Sequence, residues 1–357
     1  MRRIGWVFLS LLVAAVSARA EILWVANATA GTVSVIDTRK ANRVVANIPL
    51  GAGSIPVEVA VGAFYPEVYV TDAGRASLWV LSYVSKAVIT EIPLSIVSPF
   101  GLAVHPLGDW VYISNLDAGL TAGLISIVDV RRRRELRTID ISTQGLTSRD
   151  VALTPVSATT LYIACSGTDS IAGVNTRTNT LLGGAFPLLL GTAASAPSAL
   201  ALRRDNGFLY VCDDDPLGAA SELVVFDVPT LSPFVVPMAV GERCTDIVCH
   251  PNNRKAYVCT GGGARVRVLN TVVHTFVGNV INVPAAATPA KAALSEDGRT
   301  GMFTEQAGSG AMIFQTMADI VTSPVIGTGA LPFGCAIAAI TSDPIGARVR
   351  QRQNRRR

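Results

Sequence analysis

The chain is 357 residues long, half of it apolar and only 16% charged, with glycine and proline plentiful; that composition suits many short buried strands separated by tight turns. Its formal charge of +4 is a property of the ends, because three arginines precede residue 21 and six follow Ala347. What remains is 21 basic against 26 acidic residues, a body near −5, and that excludes a basic nucleic-acid binder.

Residues 1–20 read as a secretory signal peptide. Arg2 and Arg3 precede an apolar run at 4–16, and Ala18, Arg19 and Ala20 make a small-x-small cleavage site. The run is shorter than the about 20 residues a membrane-spanning helix needs, and no later segment has eighteen uninterrupted apolar residues. An exported chain beginning at Glu21, periplasmic or secreted, is therefore expected.

From there one motif recurs seven times: a bulky residue, an aliphatic or aromatic one, a small one, then usually a polar one. It is WVAN at 24–27, YVTD at 69–72, YISN at 112–115, YIAC at 162–165, YVCD at 210–213, YVCT at 257–260 and MFTE at 302–305. The intervals of 45, 43, 50, 48, 47 and 45 residues match one four-stranded propeller blade. The third repeat spells the blade out. PFGLAV at 99–104 is an inner strand, HPLGD a turn, WVYIS at 110–114 the second strand, GLISIVDV at 123–130 the third and LRTIDI at 136–141 the outermost. The first repeat has no inner strand of its own, but PFGCAI at 332–337 repeats PFGLAV, so the last strand completes the first blade and removes an open edge. The fold class expected is all-β, a seven-bladed β-propeller over 21–340 with four-stranded antiparallel blades, followed by a basic disordered tail at 341–357.

YVTD at 69–72 and the stretch 24–56, with its VID element, resemble the YVTN-repeat propellers. The resemblance covers the whole expected fold and implies a rigid ring, not one activity. Blades four to seven depart from the VID element, as IAGVN, RVRVLN and AMIFQ show.

Stacking the repeats gives columns. The inner strands alternate bulky residues (Val59, Leu102, Val151, Leu200, Ile247, Ala292, Cys335) with a small column: Ala60, Ala103, Ala152, Ala201, Val248, Ala293 and Ala336. Period-2 alternation puts the two on opposite faces, and the small face lets blades approach near the axis. One step towards the mouth, the small face continues as Glu58, Gly101, Asp150, Ala199, Asp246, Lys291 and Gly334, with Arg149, Thr245, Phe100 and Phe333 beside it. This asymmetric charged mouth, together with Asp213 at the head of a long loop, is the candidate ligand-binding set: Glu58, Asp150, Asp246, Lys291, Arg149 and Asp213. It suits a polar small molecule or a cation. The residues ending the second strands, Asn27, Asp72, Asn115, Asp213 and Glu305 among them, are expected to bond turn backbone. Asp213, Asp214 and Asp215 lack the spacing of a known calcium loop.

Cys212 and Cys259 fall in the slot of Ala26, Thr71 and Ser114 and are read as small buried residues, with one disulfide left open. All three histidines fall on turns away from the mouth, which argues against a histidine-based triad, zinc site or acid–base pair there. Cys244 to His250 has the look of an enlarged haem-attachment motif, yet Cys249 fills the Val104 slot and His250 the His105 slot. Tryptophan-docking repeats of the quinone-dehydrogenase kind are missing, and Gly261, Gly262 and Gly263 form a turn. No cofactor is identified. Two function classes remain: a monomeric binding or scaffold propeller, its ligand an unidentified protein or polar small molecule, and a lactonase-like hydrolase with carboxylates orienting metal or water. The tail is read as solvated, with contact to an anionic surface as its alternative.

Overall fold

The computed structural model describes residues 21–339 apart from 63, 118, 120–121, 156, 192–195, 215–220, 240, 262–264, 284–287 and 307–308. The expected signal peptide, the arginine-rich tail, Asp215, Gly262 and Gly263 lie outside the described residues. Seven antiparallel sheets form the ring, each running from an inner strand outwards. Blade one consists of Arg43–Pro49, Thr32–Asp37, Glu21–Asn27 and Pro332–Ala339. The last strand closes it in the expected register, with Leu23 opposite Ile337 and Val25 opposite Cys335. Blades four and seven have outer strands in two short pieces, Thr180–Leu181 with Leu188–Leu189 and Ile320–Val321 with Ile326–Gly327.

Second strands such as Glu67–Asp72 are buried throughout, because a neighbouring blade covers each face. Outer strands such as Arg43–Pro49 alternate, because one face meets water. The core is divided into seven clusters, one at each blade interface. Ala199 and Ala201 pack with Ile247 of the next blade, while Leu200 and Leu202 on the other face join Tyr162 and Ala164 of the previous one. Small faces large at the narrow end of each wedge.

The motif tyrosines span the same interfaces. A buried phenol needs a partner for its hydroxyl, and Tyr112, Tyr210 and Tyr257 find theirs on the turn between third and fourth strands of the following blade. Tyr112 Oη donates to Asn179 Oδ1 at 2.9 Å, Tyr257 Oη to Asp319 Oδ1 at 2.6 Å, and Tyr210 Oη lies 3.2 Å from His274 Nδ1. Tyr69 Oη bonds Glu67 (3.0 Å), which in turn pairs with Arg133. Trp24 has no hydroxyl, and there Lys86 Nζ sits 5.1 Å from the ring. Lys86, Arg133, Asn179, His274 and Asp319 share one turn position, all with φ between 53° and 56°. His274 is thus an interface residue. His250 engages both ring nitrogens, Nδ1 accepting from Asn252 N of its own turn and Nε2 lying 2.8 Å from Gly298 O on the equivalent turn of the next blade, which accounts for it structurally.

One reading of the cysteines is corrected. Cys212 is joined to Cys244 in a disulfide that links blades five and six, whereas Cys259 is a free, buried thiol. The slot faces the neighbouring blade's inner strand, so a thiol there can reach a partner cysteine as easily as it can pack.

Removing the chain from Leu331 onwards should expose the edge of Glu21–Asn27 and broaden and lower the thermal transition; an unchanged melting curve would refute strand closure. Ala201→Leu overpacks the narrow wedge and should cost about 1–3 kcal/mol in urea denaturation, while an unaffected midpoint would show room at that interface.

Candidate functional site

At the mouth end of every inner strand the ladder to the second strand slips, between Val25/Asn27, Pro56/Val59, Pro99/Leu102, Ser148/Val151, Pro197/Ala199, Cys244/Asp246 and Pro289/Ala292. A bulge frees backbone groups from the ladder and re-aims side chains. Hydroxyls of the second strand collect those groups and reach the next blade. Thr71 Oγ1 accepts from Glu58 N and donates to Phe100 O at 2.7 Å; Ser114 Oγ accepts from Gly101 N and donates to Arg149 O at 2.7 Å. Thr304 Oγ1 does the same between Lys291 N and Phe333 O. Blades five and six carry Cys212 and Cys259 in this slot, and there the hydroxyl comes from the inner strand: Ser198 Oγ donates to Cys244 O and Thr245 Oγ1 to Pro289 O.

Above the bulges, the seven mouth positions run in ring order Gly334, Glu58, Gly101, Asp150, Ala199, Asp246, Lys291. Small residues and acids alternate for a geometric reason. A Cβ on Gly101 would stand 2.8 Å from Arg149 O and 2.9 Å from Asp150 Oδ1, and one on Gly334 would stand 2.3 Å from Val57 O and 2.8 Å from Glu58 Oε1. Glu58 and Asp150 overlie glycines that have no room for a side chain, and Asp246 follows the small Ala199. Lys291 takes the seventh position, and its Nζ lies 3.2 Å from Glu58 Oε2, 3.3 Å from Asp246 Oδ1 and 4.0 Å from Asp150 Oδ2. Asp150, Asp246 and Lys291 are buried. Backbone N–H groups complete the carboxylates: Asp150 accepts from Val151 N (2.9 Å) and Leu200 N (2.8 Å), Asp246 from Ala292 N (2.7 Å) and Glu58 from Val59 N (3.2 Å). Leu200 and Ala292 belong to the next blade, so Asp150 and Asp246 also staple interfaces.

Three carboxylates share one ammonium. Burial pushes Asp246 up to about 7, with Lys291 acting against the rise and the Asp150 charge adding to it. Burial raises Glu58 as well. For Lys291, burial works to lower the pKa, but Asp150, Asp246 and Glu58 together outweigh it and hold the ammonium well above its usual range.

A cavity of about 350 Å³ opens above this floor, walled by Phe100, Phe333, Arg149, Thr245, Asp214 and Arg243 among others. The Arg149 guanidinium stands 5.7 Å from the Phe100 ring centre, and Phe100 meets Phe333 edge-on at 5.5 Å. Arg243 clamps Asp214 through two bonds of 2.9 and 2.6 Å, with Ser221 Oγ 3.2 Å from the same carboxylate. The acids of the site are paired with Lys291 and Arg243, and among the described residues Arg149 forms no ion pair. Burial pulls the pKa of Arg149 down, with Asp214 and Asp150 pulling the other way.

The structure therefore brings Glu58, Asp150, Asp246 and Lys291 into one cluster and places Arg149 on the wall above it. Asp213 Oδ1 accepts from Ala196 N at 2.9 Å, tying down the crossing into its own inner strand, as Asp72 does for Ile55 N and Asn115 for Ser98 N. Asp214 was noted in sequence only within the run Asp213 to Asp215, and its pairing with Arg243 was not foreseen. They lie 29 residues apart, and only the repeat register puts both at one mouth.

These features define a seven-bladed β-propeller whose axis is closed at one end by a buried ionic cluster. No protein-family model matches the sequence, and no curated protein matches it. Among solved structures the chain is similar to Kuenenia stuttgartiensis hydrazine synthase, at 16% identity over 82% of this chain and 90% of that one with a TM-score of 0.66. It is similar also to a functionally unknown protein from Desulfotomaculum acetoxidans DSM 771, at 15% identity over 91% and 100% of the two chains with a TM-score of 0.72. At such identities the likeness establishes the fold alone.

The charge excess makes a signed prediction. An unfolded aspartate titrates near ~3.9, so with Asp246 at about 7 in the folded state folding takes up a proton between those values. That contribution is full below the unfolded pKa and lost as pH rises through about 7. Burial lowers the pKa of the three histidines, which works in the opposite sense, so the readout is the difference between wild type and Asp246→Asn. The variant should melt higher than wild type at pH 8, and the gap should close towards pH 5. A gap of constant size would show that Asp246 does not titrate in this range.

Proposed function

We propose that the chain is an exported, monomeric propeller of the YVTN-repeat type that binds a polar ligand at its channel mouth and carries out no catalysis there. Arg149 carries the reading: a half-buried guanidinium laid against Phe100, in no ion pair among the described residues, on the wall of a cavity of about 350 Å³. Such a volume lies in the range of small-molecule sites, where a few fixed polar groups orient a ligand between apolar walls. An anionic group of the ligand pairs with Arg149, with Arg243 alongside. The net negative floor of Glu58, Asp150 and Asp246 around Lys291 receives a hydroxyl or ammonium on the same molecule. Lys291 takes no part in anion binding, because its donors already face three carboxylates.

The lactonase-like alternative has less support. It needs carboxylates available to metal or water, and here they are engaged by Lys291 and by backbone N–H groups. Among the described residues no group of three or more His, Cys, Asp or Glu is placed to hold a metal ion.

A thermal-shift screen of hydroxy acids, amino acids and sugar acids tests the proposal. Compounds that raise the melting temperature should lose their effect in Arg149→Met, whose own melting temperature stays close to wild type, and their affinity should fall with salt. Hits that stabilise the variant and the wild type equally would place the binding surface elsewhere.

A further inference from the structure

We propose that the face opposite the mouth, formed by the short turns, docks on an anionic lipid surface. Two independent sets of side chains crowd this face. On the turns between third and fourth strands, Met317 (88% exposed), Val84 (71%), Val272 (63%) and Val273 (60%) stand out into solvent on blades seven, two and six. Around them Lys40, Arg131, Arg177, Arg204, Arg254 and Arg299 are exposed, and none of them joins an ion pair among the described residues. Other cations of this face are neutralised: Arg39 by Asp37, Arg132 by Asp129, Arg203 by Asp205 and Lys255 by Asp319. Glu296 and Asp297 are the nearest counter-charges to Arg299 in sequence. At the mouth face, by contrast, Glu58, Asp150 and Asp246 are paired with Lys291, Asp214 with Arg243 and Glu242 with Arg267. The unpaired cations of the turn face let a negatively charged surface orient the molecule before contact.

Glu21 pairs with Ala339, so the first strand starts and the last strand finishes on the turn face.

Lipid fits this arrangement better than a single acidic protein. The apolar tips are spread over three separate blades and form no groove, so a partner must present an apolar layer and negative charge across the whole face at once. The boundary between headgroups and acyl chains of an anionic bilayer does so: short apolar side chains insert while lysines and arginines stay at headgroup level. Docked in this way, the propeller holds its mouth towards the aqueous side.

The test is co-sedimentation of the chain from Glu21 to Arg357, which contains every described strand, with phosphatidylcholine vesicles with and without phosphatidylglycerol. Binding should require phosphatidylglycerol and weaken with salt. A Val272→Asp, Val273→Asp, Met317→Asp variant should bind about tenfold less with an unchanged melting temperature, while Val97→Asp, on the mouth side, should bind as wild type does. A chain ending at Ala347 should keep part of the binding. The proposal fails if wild type ignores phosphatidylglycerol vesicles, if the triple variant binds like wild type, or if removing the tail alone abolishes binding.

Discussion

The backbones of neighbouring inner strands meet most closely at the mouth of the channel, and that close approach governs what the seven positions there can hold. A methyl group at Gly334 would stand 2.3 Å from the next blade's Val57 O, and one at Gly101 would stand 2.8 Å from Arg149 O. Wherever one blade sends an acid towards the axis, the blade before it must stay small. Around an even ring the pattern could repeat without interruption. Seven is odd, so one position is left with an acid on one side and a glycine on the other. A further acid there would face Asp246 across a buried gap, and like charges so placed raise one another's pKa. A lysine relieves that repulsion and has the length to reach acids on blades two and four besides its neighbour on blade six.

The same closeness explains the connectors below the ring. Bulged inner strands leave carbonyls that adjacent blades must satisfy, since a buried orphan costs about 1–3 kcal/mol. Thr71, Ser114 and Thr304 meet the need from the second strand, and Ser198 and Thr245 meet it from the inner strand where the second strand carries Cys212 and Cys259. The disulfide belongs to this system of interface ties. It also brackets the cavity wall, because Cys212 lies two residues before Asp214 and Cys244 directly follows Arg243, the two halves of the clamp.

Blade number, strand order, closure and the alternation of small and large faces were legible in the sequence because each is written seven times. The gathering of Glu58, Asp150, Asp246 and Lys291 at one mouth was legible for the same reason. Their state was not: as single residues they look like solvated strand ends, and only the convergence of four charges on one axis removes the water. The partners of Tyr112, Tyr210 and Tyr257 were hidden too, because they sit in the next repeat, at the turn position held there by Asn179, His274 and Asp319 and elsewhere by Lys86 and Arg133. The residue type changes with the group it has to satisfy, so no recurring letter marks the column. Cys212 was misread because its slot does hold small buried residues in other blades, and what distinguishes it is a second cysteine 32 residues away.

The ionic cluster is a poor source of net stability. Removing four charges from water costs several kcal/mol each, and Coulomb attraction with one ammonium among three carboxylates does not recover all of it. What the cluster supplies is dependence on completeness. Each acid is tolerable only with Lys291 in reach, and Lys291 is carried by blade seven, beside the blade that the C-terminal strand closes. A ring lacking that blade leaves Glu58, Asp150 and Asp246 facing one another at the axis without a counter-charge. Buried apolar interfaces between near-equivalent blades discriminate weakly among wrong neighbours. A charge balance that is met only when blades two, four, six and seven surround the same axis discriminates strongly, and it does so at the end of the channel where Arg149 and the cavity require a fixed floor.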